Sequence, residues 1–253
     1  MIYLGIDGSI SRVRLEGLRV APVLYSIYRS LPLHYFDTYT HIALDSGAYP
    51  CWTHAKKEQG KTDNPPNFTV NGAVDFNYYL DTALSWQQDG RKFTWIAADL
   101  SVDESFDDTL KNCEALRKHG LNALPAYKQG QPEWQLLYLC NNFDHIGLGS
   151  TDKDTGSQST DRWLRQAFDV ICDNDGYPTV KVHGYRLVSY YDKYPFNSCD
   201  STSWAQRTLP DLKKRIPWAK ESELIPHVLT YYTRRPRCPR FIRDDQLEFK
   251  LAS

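Results

Sequence analysis

Three aspartates stand where predicted β-strands end, and carboxylates in that position could carry out chemistry at a sugar carbon. Asp45 follows "HIAL", Asp99 follows "WIAA" and Asp200 follows "PFNSC". Closely placed carboxylates acquire different proton affinities, so one can attack as a nucleophile while another moves protons. Asp200 suits the nucleophile, because its hydroxyl-rich neighbours can donate hydrogen bonds and its small neighbours leave room for a sugar.

Other strand ends carry polar or glycine residues that could line the same site. They are Ser46 and Gly47, Gln129 and Gly130, Gly147 and Gly149, and His183. Glycines let a flat ring approach the backbone, and a glutamine amide can both donate to and accept from a heterocycle edge. A single Asp or Gly after a strand most often forms a turn or a helix cap, so the prediction depends on six successive strand ends with similar chemistry.

The segments between these residues alternate in a way that predicts a parallel sheet covered by helices. Helices are predicted near 74–88, 104–119, 131–141 and 159–174, and in the last of them Leu164, Phe168 and Ile171 share one face. The sequence therefore predicts an α/β fold, a TIM-like (β/α)8 barrel in a single domain over residues 1–253, with its strand ends at one mouth. Seven strands are clear, and the eighth is either "RVAPVLYSIY" or an arginine-rich segment near the C terminus.

The same segments resemble, in order, motifs of the tRNA-guanine transglycosylase superfamily over roughly residues 40–207. "LDSGAY" resembles its DSGGF-type motif, "AADLS" its base-reading aspartate segment, "KQG" its QG element and "IGLGS" its glycine-rich strand. "VHGYRLVSYYDKYPFNSCDSTSW" resembles the segment that carries the nucleophile.

The resemblance implies roles for individual residues. Asp200 would attack C1′ of a guanosine-type nucleotide, and Asp45 would be the acid/base near the leaving and entering bases. The base would be read by Asp99, Gln129 and the backbone at Gly149, in a pocket lined by Ser46 and His183. The implied reaction is a ping-pong exchange, without a cofactor, of guanine for a 7-deazaguanine.

The chain departs from the tRNA enzymes at the residues that would bind zinc. Their closely spaced cysteines have no counterpart in the C-terminal part, where Cys238 stands alone, so neither a metal nor a zinc subdomain is expected. Ala48 replaces the second glycine of the DSGGF-type motif, and Leu148 separates Gly147 from Gly149. The short chain and "DSTSW" look more like the phage and genomic-island branch, which modifies DNA.

DNA is accordingly the expected partner polymer, with tRNA as the alternative. Two further functions stay open on the sequence: a hydrolase in which water resolves the sugar ester, and a catalytically silent barrel that serves as a partner subunit. The oligomeric state stays open as well.

A basic C-terminal segment, about 207–243, is the candidate nucleic-acid surface. Four of its arginines lie among aromatic residues, a composition suited to phosphates and stacked bases: Arg234, Arg235, Arg237 and Arg240. The alternative is a solvated tail balanced by Asp244, Asp245 and Glu248. The formal net charge of −1 means that any phosphate contacts must be concentrated locally.

The composition favours a cytoplasmic protein that makes no membrane contact. No apolar run approaches the ~20 residues of a membrane helix. The six cysteines are scattered rather than spaced as in a disulfide scaffold, so reduced thiols are expected.

Overall fold

The computed structural model describes residues 1–6, 18, 21–27, 41–57, 69–70, 73–90, 92–149, 157–202 and 204–243. These residues group into two compact units. The first unit comprises the described parts of Met1–Ile2, Ala126–Ser201 and Thr233–Ser253, and the second those of Tyr3–Pro125 and Thr202–Tyr232. The single domain over residues 1–253 stays a prediction.

The second unit is built on parallel strands that alternate with helices. Its strands are β1 (Ile2–Ile6, whose first residue is in the first unit), β2 (Val23–Ser26), β3 (Ile42–Asp45), β6 (Phe93–Ala97) and β7 (Ala123–Leu124), together with a short antiparallel pair, β4 (Thr69–Val70) and β5 (Ala73–Val74). Its helices are α1 (Ala48–Lys57), α2 (Phe76–Gln88), α3 (Phe106–Lys118), α6 (Leu209–Arg215) and α7 (Glu221–Thr233). Every residue of β1 is buried, which is typical of a strand covered on both faces.

The first unit continues the pattern with four parallel strands. They are β8 (Ala126–Lys128), β9 (His145–Gly149), β10 (Lys181–Tyr185) and β11 (Ser198–Ser201), and the helices are α4 (Glu133–Asn142) and α5 (Ser157–Ile171). The hydrogen-bonded strand order is β7-β6-β3-β2-β1 in the second unit and β11-β10-β9-β8 in the first.

A proline separates two short strands, β7 and β8, that adjoin in the chain. Only Pro125 separates β7 from β8, and proline has no N–H to donate to a sheet. β7 pairs with β6, whereas β8 pairs with β9. Each of the two short strands therefore pairs within its own unit.

Capping residues determine where two of these helices begin, and the spacing of apolar residues determines which face of a third is buried. Asp75 caps α2 by accepting from the Tyr78 N–H, and Ser105 caps α3 by accepting from the Asp108 N–H. In α5 the three apolar residues predicted to share a face, Leu164, Phe168 and Ile171, are fully buried. All four predicted helices are present within a few residues of their expected bounds.

The structure also decides between the two candidates for the missing strand. Val23–Ser26, within the N-terminal candidate, forms β2 between β1 and β3. Helices α1, α6 and α7 were not predicted from the sequence. Among the described residues, no helix is both long and apolar enough to cross a bilayer.

Candidate functional site

The first unit holds Asp200 near the end of β11, beside the neighbouring strand β10. His183 of β10 is in register with Ser198 of β11, and Ser198 and Asp200 point to the same face because side chains alternate along a strand. The Asp200 side chain is only 4% exposed, and that of His183 is fully buried. We call Asp200, His183, Ser198 and the Arg186 N–H the Asp200 cluster.

His183 links the two β11 residues of this cluster. Its Nδ1 lies 2.9 Å from Ser198 Oγ, and its Nε2 lies 3.3 Å from Asp200 Oδ1, a close electrostatic contact. Burial lowers the pKa of His183, although the Asp200 carboxylate partly opposes this. A neutral imidazole carries one N–H. If that hydrogen is assigned to Nε2, the N–H faces the Asp200 carboxylate, and Nδ1 accepts a hydrogen bond from the Ser198 hydroxyl. His183 thus positions Asp200, whereas the sequence had suggested only that His183 lines the base pocket.

The donor that bonds Asp200 directly is a backbone group rather than one of the neighbouring hydroxyls. The Arg186 N–H donates to Asp200 Oδ1 at 2.8 Å. Arg186 has φ +60°, a left-handed conformation that costs a non-glycine residue energy and often marks a functional position. The N–H of this residue reaches the carboxylate from a left-handed turn, and residue type alone gave no signal of it.

The glycines of β9 meet a ring, and that ring belongs to the protein. A Cβ on Gly147 would lie 2.4 Å from Cε2 of Tyr185, whereas one on Gly149 would lie 3.9 Å from Cδ2 of the same ring. The Tyr185 ring in turn packs edge-to-face on His183, with centroids 4.8 Å apart. Gly147 is therefore needed for packing beside the Asp200 cluster, and Gly149 has more space.

Gln129 and Gly130 lie just after β8 in the same unit. The Gln129 N–H donates to the Gly149 carbonyl at 3.0 Å, and its side-chain amide donates to Ser159 Oγ at 3.2 Å. Gly130 is exposed with φ +91° inside the turn from Lys128 to Gln131. A turn accounts for this glycine, because only glycine adopts that conformation without strain.

The second unit holds the other two carboxylates at the ends of two adjacent strands. β3 ends at Asp45, and Asp99 follows the end of β6 by two residues; the two strands pair in parallel. Ser46 is buried and donates from Oγ to the Asp99 carbonyl at 2.5 Å, while the Gly47 N–H donates to Asp45 Oδ2 at 3.3 Å. The structure thus brings Asp45, Ser46, Gly47 and Asp99 together at the ends of these two strands.

Tyr79 of α2 ties these two strands together beneath the carboxylates. Its buried hydroxyl lies 2.9 Å from the Ala97 carbonyl and 3.3 Å from that of Leu44. Burial raises the pKa of Tyr79 well above its ordinary value, and the charges of Asp45 and Asp99 raise it further. The hydroxyl therefore stays protonated as a donor, and both carboxylates lie close enough to act on it. We call Asp45, Asp99, Ser46 and Tyr79 the two-carboxylate cluster.

One oxygen of this cluster lacks a donor. Asp99 Oδ1 is shielded from solvent and accepts no hydrogen bond from any residue in the described ranges. Leaving a buried acceptor unsatisfied costs free energy, so such an atom is suited to receive a donor from a ligand. The meeting of Asp200 with Asp45 and Asp99 at one opening stays a prediction.

The four arginines predicted to bind nucleic acid divide into two kinds. Arg237 donates from Nε to the Phe196 carbonyl at 2.7 Å, and Arg235 donates to the Ser189 carbonyl at 3.3 Å, so both make contacts within the first unit, to which they belong. Arg234 and Arg240 are exposed, as is Arg237 despite its hydrogen bond, whereas Arg235 is half-buried. The segment is docked as far as Arg243, whereas Asp244, Asp245 and Glu248 lie outside the described residues.

Comparison with known proteins bears on the fold. No protein-family model matches the chain. No curated protein matches it either. Two solved structures from Pyrococcus furiosus are similar, a tryptophan synthase complex and a mutant tryptophan synthase alpha-subunit, each with TM-score 0.53 and 13% identity. They cover 92% of this chain and 97% and 96% of their own.

This similarity is to a TIM barrel, and it extends over most of the chain. Together with the parallel strand order, it confirms the predicted α/β fold class of TIM type. The similar chains come from an enzyme. At 13% identity the likeness shows the fold alone.

Proposed function

We propose that this protein is a transglycosylase that exchanges guanine in a nucleic acid for a 7-deazaguanine through a covalent sugar ester on Asp200. The proposal rests on the resemblance of its motifs to the tRNA-guanine transglycosylase superfamily and on the geometry around the three aspartates. Any TIM-type fold brings its strand ends to one side of the barrel, so the fold does not determine the reaction. The reaction depends on the side chains at those ends.

The Asp200 cluster is the observation that carries the proposal. A nucleophilic carboxylate must be held in one orientation while one oxygen remains available to the substrate. The Arg186 N–H and the His183 ring both approach Oδ1. This leaves Oδ2 as the atom to attack C1′.

In the proposed first half-reaction, Asp200 Oδ2 forms a bond to C1′ as the bond from C1′ to the glycosidic nitrogen breaks. Asp45 supplies the proton that the departing guanine requires. In the second half-reaction, Asp45 takes the proton from the incoming 7-deazaguanine, whose nitrogen attacks C1′ and releases Asp200. The exchange conserves charge and needs no oxidant, metal or cofactor.

Asp99 supports the choice of a purine-like base. Guanine presents N–H donors along its pairing edge, and the unsatisfied Oδ1 of Asp99 is an acceptor without a donor in the described ranges. A bound base would donate a hydrogen bond to Asp99 Oδ1. Because leaving this oxygen unsatisfied costs free energy, the new hydrogen bond would strengthen binding of the base.

DNA is the substrate we propose, and tRNA is the alternative. Removing a base from a duplex requires the nucleotide to flip out at a cost of a few kcal/mol, which single-stranded regions avoid. Incubation with radiolabelled guanine and either unmodified DNA or unmodified tRNA distinguishes the two, because label enters only the true substrate.

The decisive experiment traps the ester. Wild-type protein mixed with the labelled polymer should give a protein–nucleic acid adduct on a denaturing gel. Asp200→Ala should abolish it, and the matched control Asp175→Ala, an exposed aspartate of the same unit, should retain it. An undiminished adduct in Asp200→Ala would refute the proposal. Abasic sites without incorporated label would favour the hydrolase. The absence of both abasic sites and incorporated label would favour a silent subunit.

Asp45→Ala tests the acid/base role. Loss of a general acid/base should reduce turnover by about 10²–10⁴-fold. Because the Asp200 cluster would be intact, the adduct should still form, slowly. Turnover within a factor of two of wild type would exclude Asp45 from proton transfer.

A further inference from the structure

We propose that the turn between α6 and α7 is a binding site for single-stranded nucleic acid, in which Trp218 stacks on a base and the adjacent cations contact phosphates. Trp218 is 81% exposed. The turn lies within the basic segment of about 207–243 that the sequence offered as a nucleic-acid surface, but none of the four arginines assigned to that surface belongs to it. The proposal concerns binding alone, and it extends the nucleic-acid substrate of the proposed function.

The exposure of Trp218 is produced by an ordered turn. The Ala219 N–H donates to the Ile216 carbonyl at 3.2 Å, which closes a four-residue turn with Pro217 and Trp218 at its centre. Proline is favoured at the first central position because its ring presets φ. The Lys213 ammonium also donates to the Ala219 carbonyl, which fixes the turn against α6.

The helices on either side of the turn are themselves anchored in the second unit. Trp204, just before α6, is fully buried and donates from Nε1 to the Gly5 carbonyl at 2.8 Å. In α7, Leu224 and Ile225 are buried, and the Tyr232 hydroxyl lies 3.2 Å from Thr208 Oγ1. The backbone that carries Trp218 is therefore held in place, so no loop has to be ordered when a base stacks on the ring.

Basic residues predominate in the sequence on the N-terminal side of this ring, whereas Glu221 and Glu223 follow it in the first turn of α7. From Arg207 to Lys220 the sequence contains five basic residues and one acidic residue, Asp211. Lys214 lies 3.3 Å from Asp211, but both side chains are highly exposed, so that ion pair is weak and readily exchanged for a phosphate. Cations in the last turn of α6 also interact favourably with the negative end of the helix dipole. This interaction explains where the cations lie, but it does not explain why the indole is exposed.

A strand of nucleic acid fits these features better than an anionic membrane surface does. Every base has a face that can stack on an indole, and a backbone beside it supplies phosphates to Lys214 and Arg215. A bilayer anchor needs a wide apolar face, whereas Trp218 is flanked by Pro217 and the small, buried Ala219. We therefore assign the turn to a single strand.

Fluorescence anisotropy with a fluorescein-labelled oligothymidylate of about twelve nucleotides tests the assignment on the full chain. Trp218→Ala should weaken binding about 10-fold, whereas Trp218→Phe, which keeps an aromatic face, should recover most of the affinity. Trp134→Ala is the matched control, because Trp134 is a 57% exposed tryptophan beside Glu133 rather than among lysines. It should bind as wild type does.

The charged part of the site has its own readout. Lys214→Gln combined with Arg215→Gln should reduce the slope of log affinity against log salt by about 1.4, since each phosphate contact on a single strand contributes about 0.7. Because this assay measures binding without turnover, it can succeed even if Asp200 performs no chemistry, and it can fail while the exchange reaction stands.

Three outcomes would overturn the proposal. One is unchanged affinity in Trp218→Ala, and another is an equal loss in Trp134→Ala. The third is binding to vesicles containing phosphatidylglycerol, with a blue shift that Trp218→Ala removes, in the absence of oligonucleotide binding. That last result would assign the turn to a membrane surface.

Discussion

Replacing Gly147 with alanine adds one methyl group at the tightest point beside the Asp200 cluster. The new Cβ would lie 2.4 Å from Cε2 and 3.2 Å from Cδ2 of the Tyr185 ring. Ordinary carbon–carbon contacts begin near 3.5 Å, so the ring edge must retreat by about 1 Å. Tyr185 packs on His183, and the displacement therefore passes to the residue that positions Asp200.

The expected cost follows from the atoms that must move. Adding a methyl group to a packed interior typically costs about 1–3 kcal/mol when side chains must leave their preferred positions. For a chain of this length, each kcal/mol lowers the melting temperature by roughly 2–4 °C. Gly147→Ala should therefore melt about 2–12 °C below wild type, and it should also slow formation of the Asp200 adduct.

Gly149→Ala is the matched control, two residues further along the same strand and on the same face. Its Cβ would lie 3.9 Å from Tyr185, which is ordinary contact. Thermal unfolding followed by circular dichroism should place this variant within about 1–2 °C of wild type. Equal melting temperatures for the two variants would show that Tyr185 does not set the requirement for glycine at position 147. If Gly149→Ala is stable but loses base exchange, the base-reading role of that backbone gains support.

Three more predictions concern stability and the arginines. The free energy of unfolding measured in urea should decrease as the pH falls below 6.5, by about 1.4 kcal/mol per pH unit for each histidine whose pKa is lowered by folding. Burial holds the pKa of His145 at about 3 and lowers that of His183, so the unfolded chain binds protons at these histidines before the folded chain does. His145→Gln should therefore weaken the dependence of stability on pH. A free energy of unfolding that does not change with pH would contradict this reasoning. Arg237→Ala should cost about 1 kcal/mol in urea unfolding through its lost hydrogen bond, whereas Arg234→Ala should leave stability within about 0.5 kcal/mol; equal effects would exclude the docking role. Arg186→Gly should keep the adduct and change stability by less than about 1 kcal/mol, because glycine accepts φ +60° and retains the N–H; loss of the adduct would assign the arginine side chain a part in it.

The sequence identified elements and strand ends well because both depend on local patterns. Leu164, Phe168 and Ile171 recur at helical spacing, and that spacing decides which face is buried. Asp45 and Asp99 could be placed together because the ends of parallel strands lie at the same edge of a sheet. The helices α1, α6 and α7 were missed because no comparable periodicity was recognised over these residues.

The glycine-rich strand shows where local reasoning stops. Two glycines in β9 suggested that a flat ring approaches the backbone, but the sequence does not say which ring. Parallel pairing places Gly147 opposite His183 on β10, and this register brings Tyr185 over Gly147. The motif predicted the space, and the pairing decided that a protein side chain occupies it.

The chemistry of Asp200 depends on tertiary structure for the same physical reason. Its type and its place at a strand end can be read from neighbouring residues, whereas its partners are the Arg186 N–H, 14 residues away, and the ring of His183 on another strand. Tyr79 similarly reaches carbonyls of two strands, one of them 35 residues away. Local patterns determine which segments become strands and helices, because adjacent side chains set those preferences. Contacts at hydrogen-bond distance are decided only when strand register and helix packing bring distant atoms together, since a shift of one residue would turn every side chain of a strand to its other face.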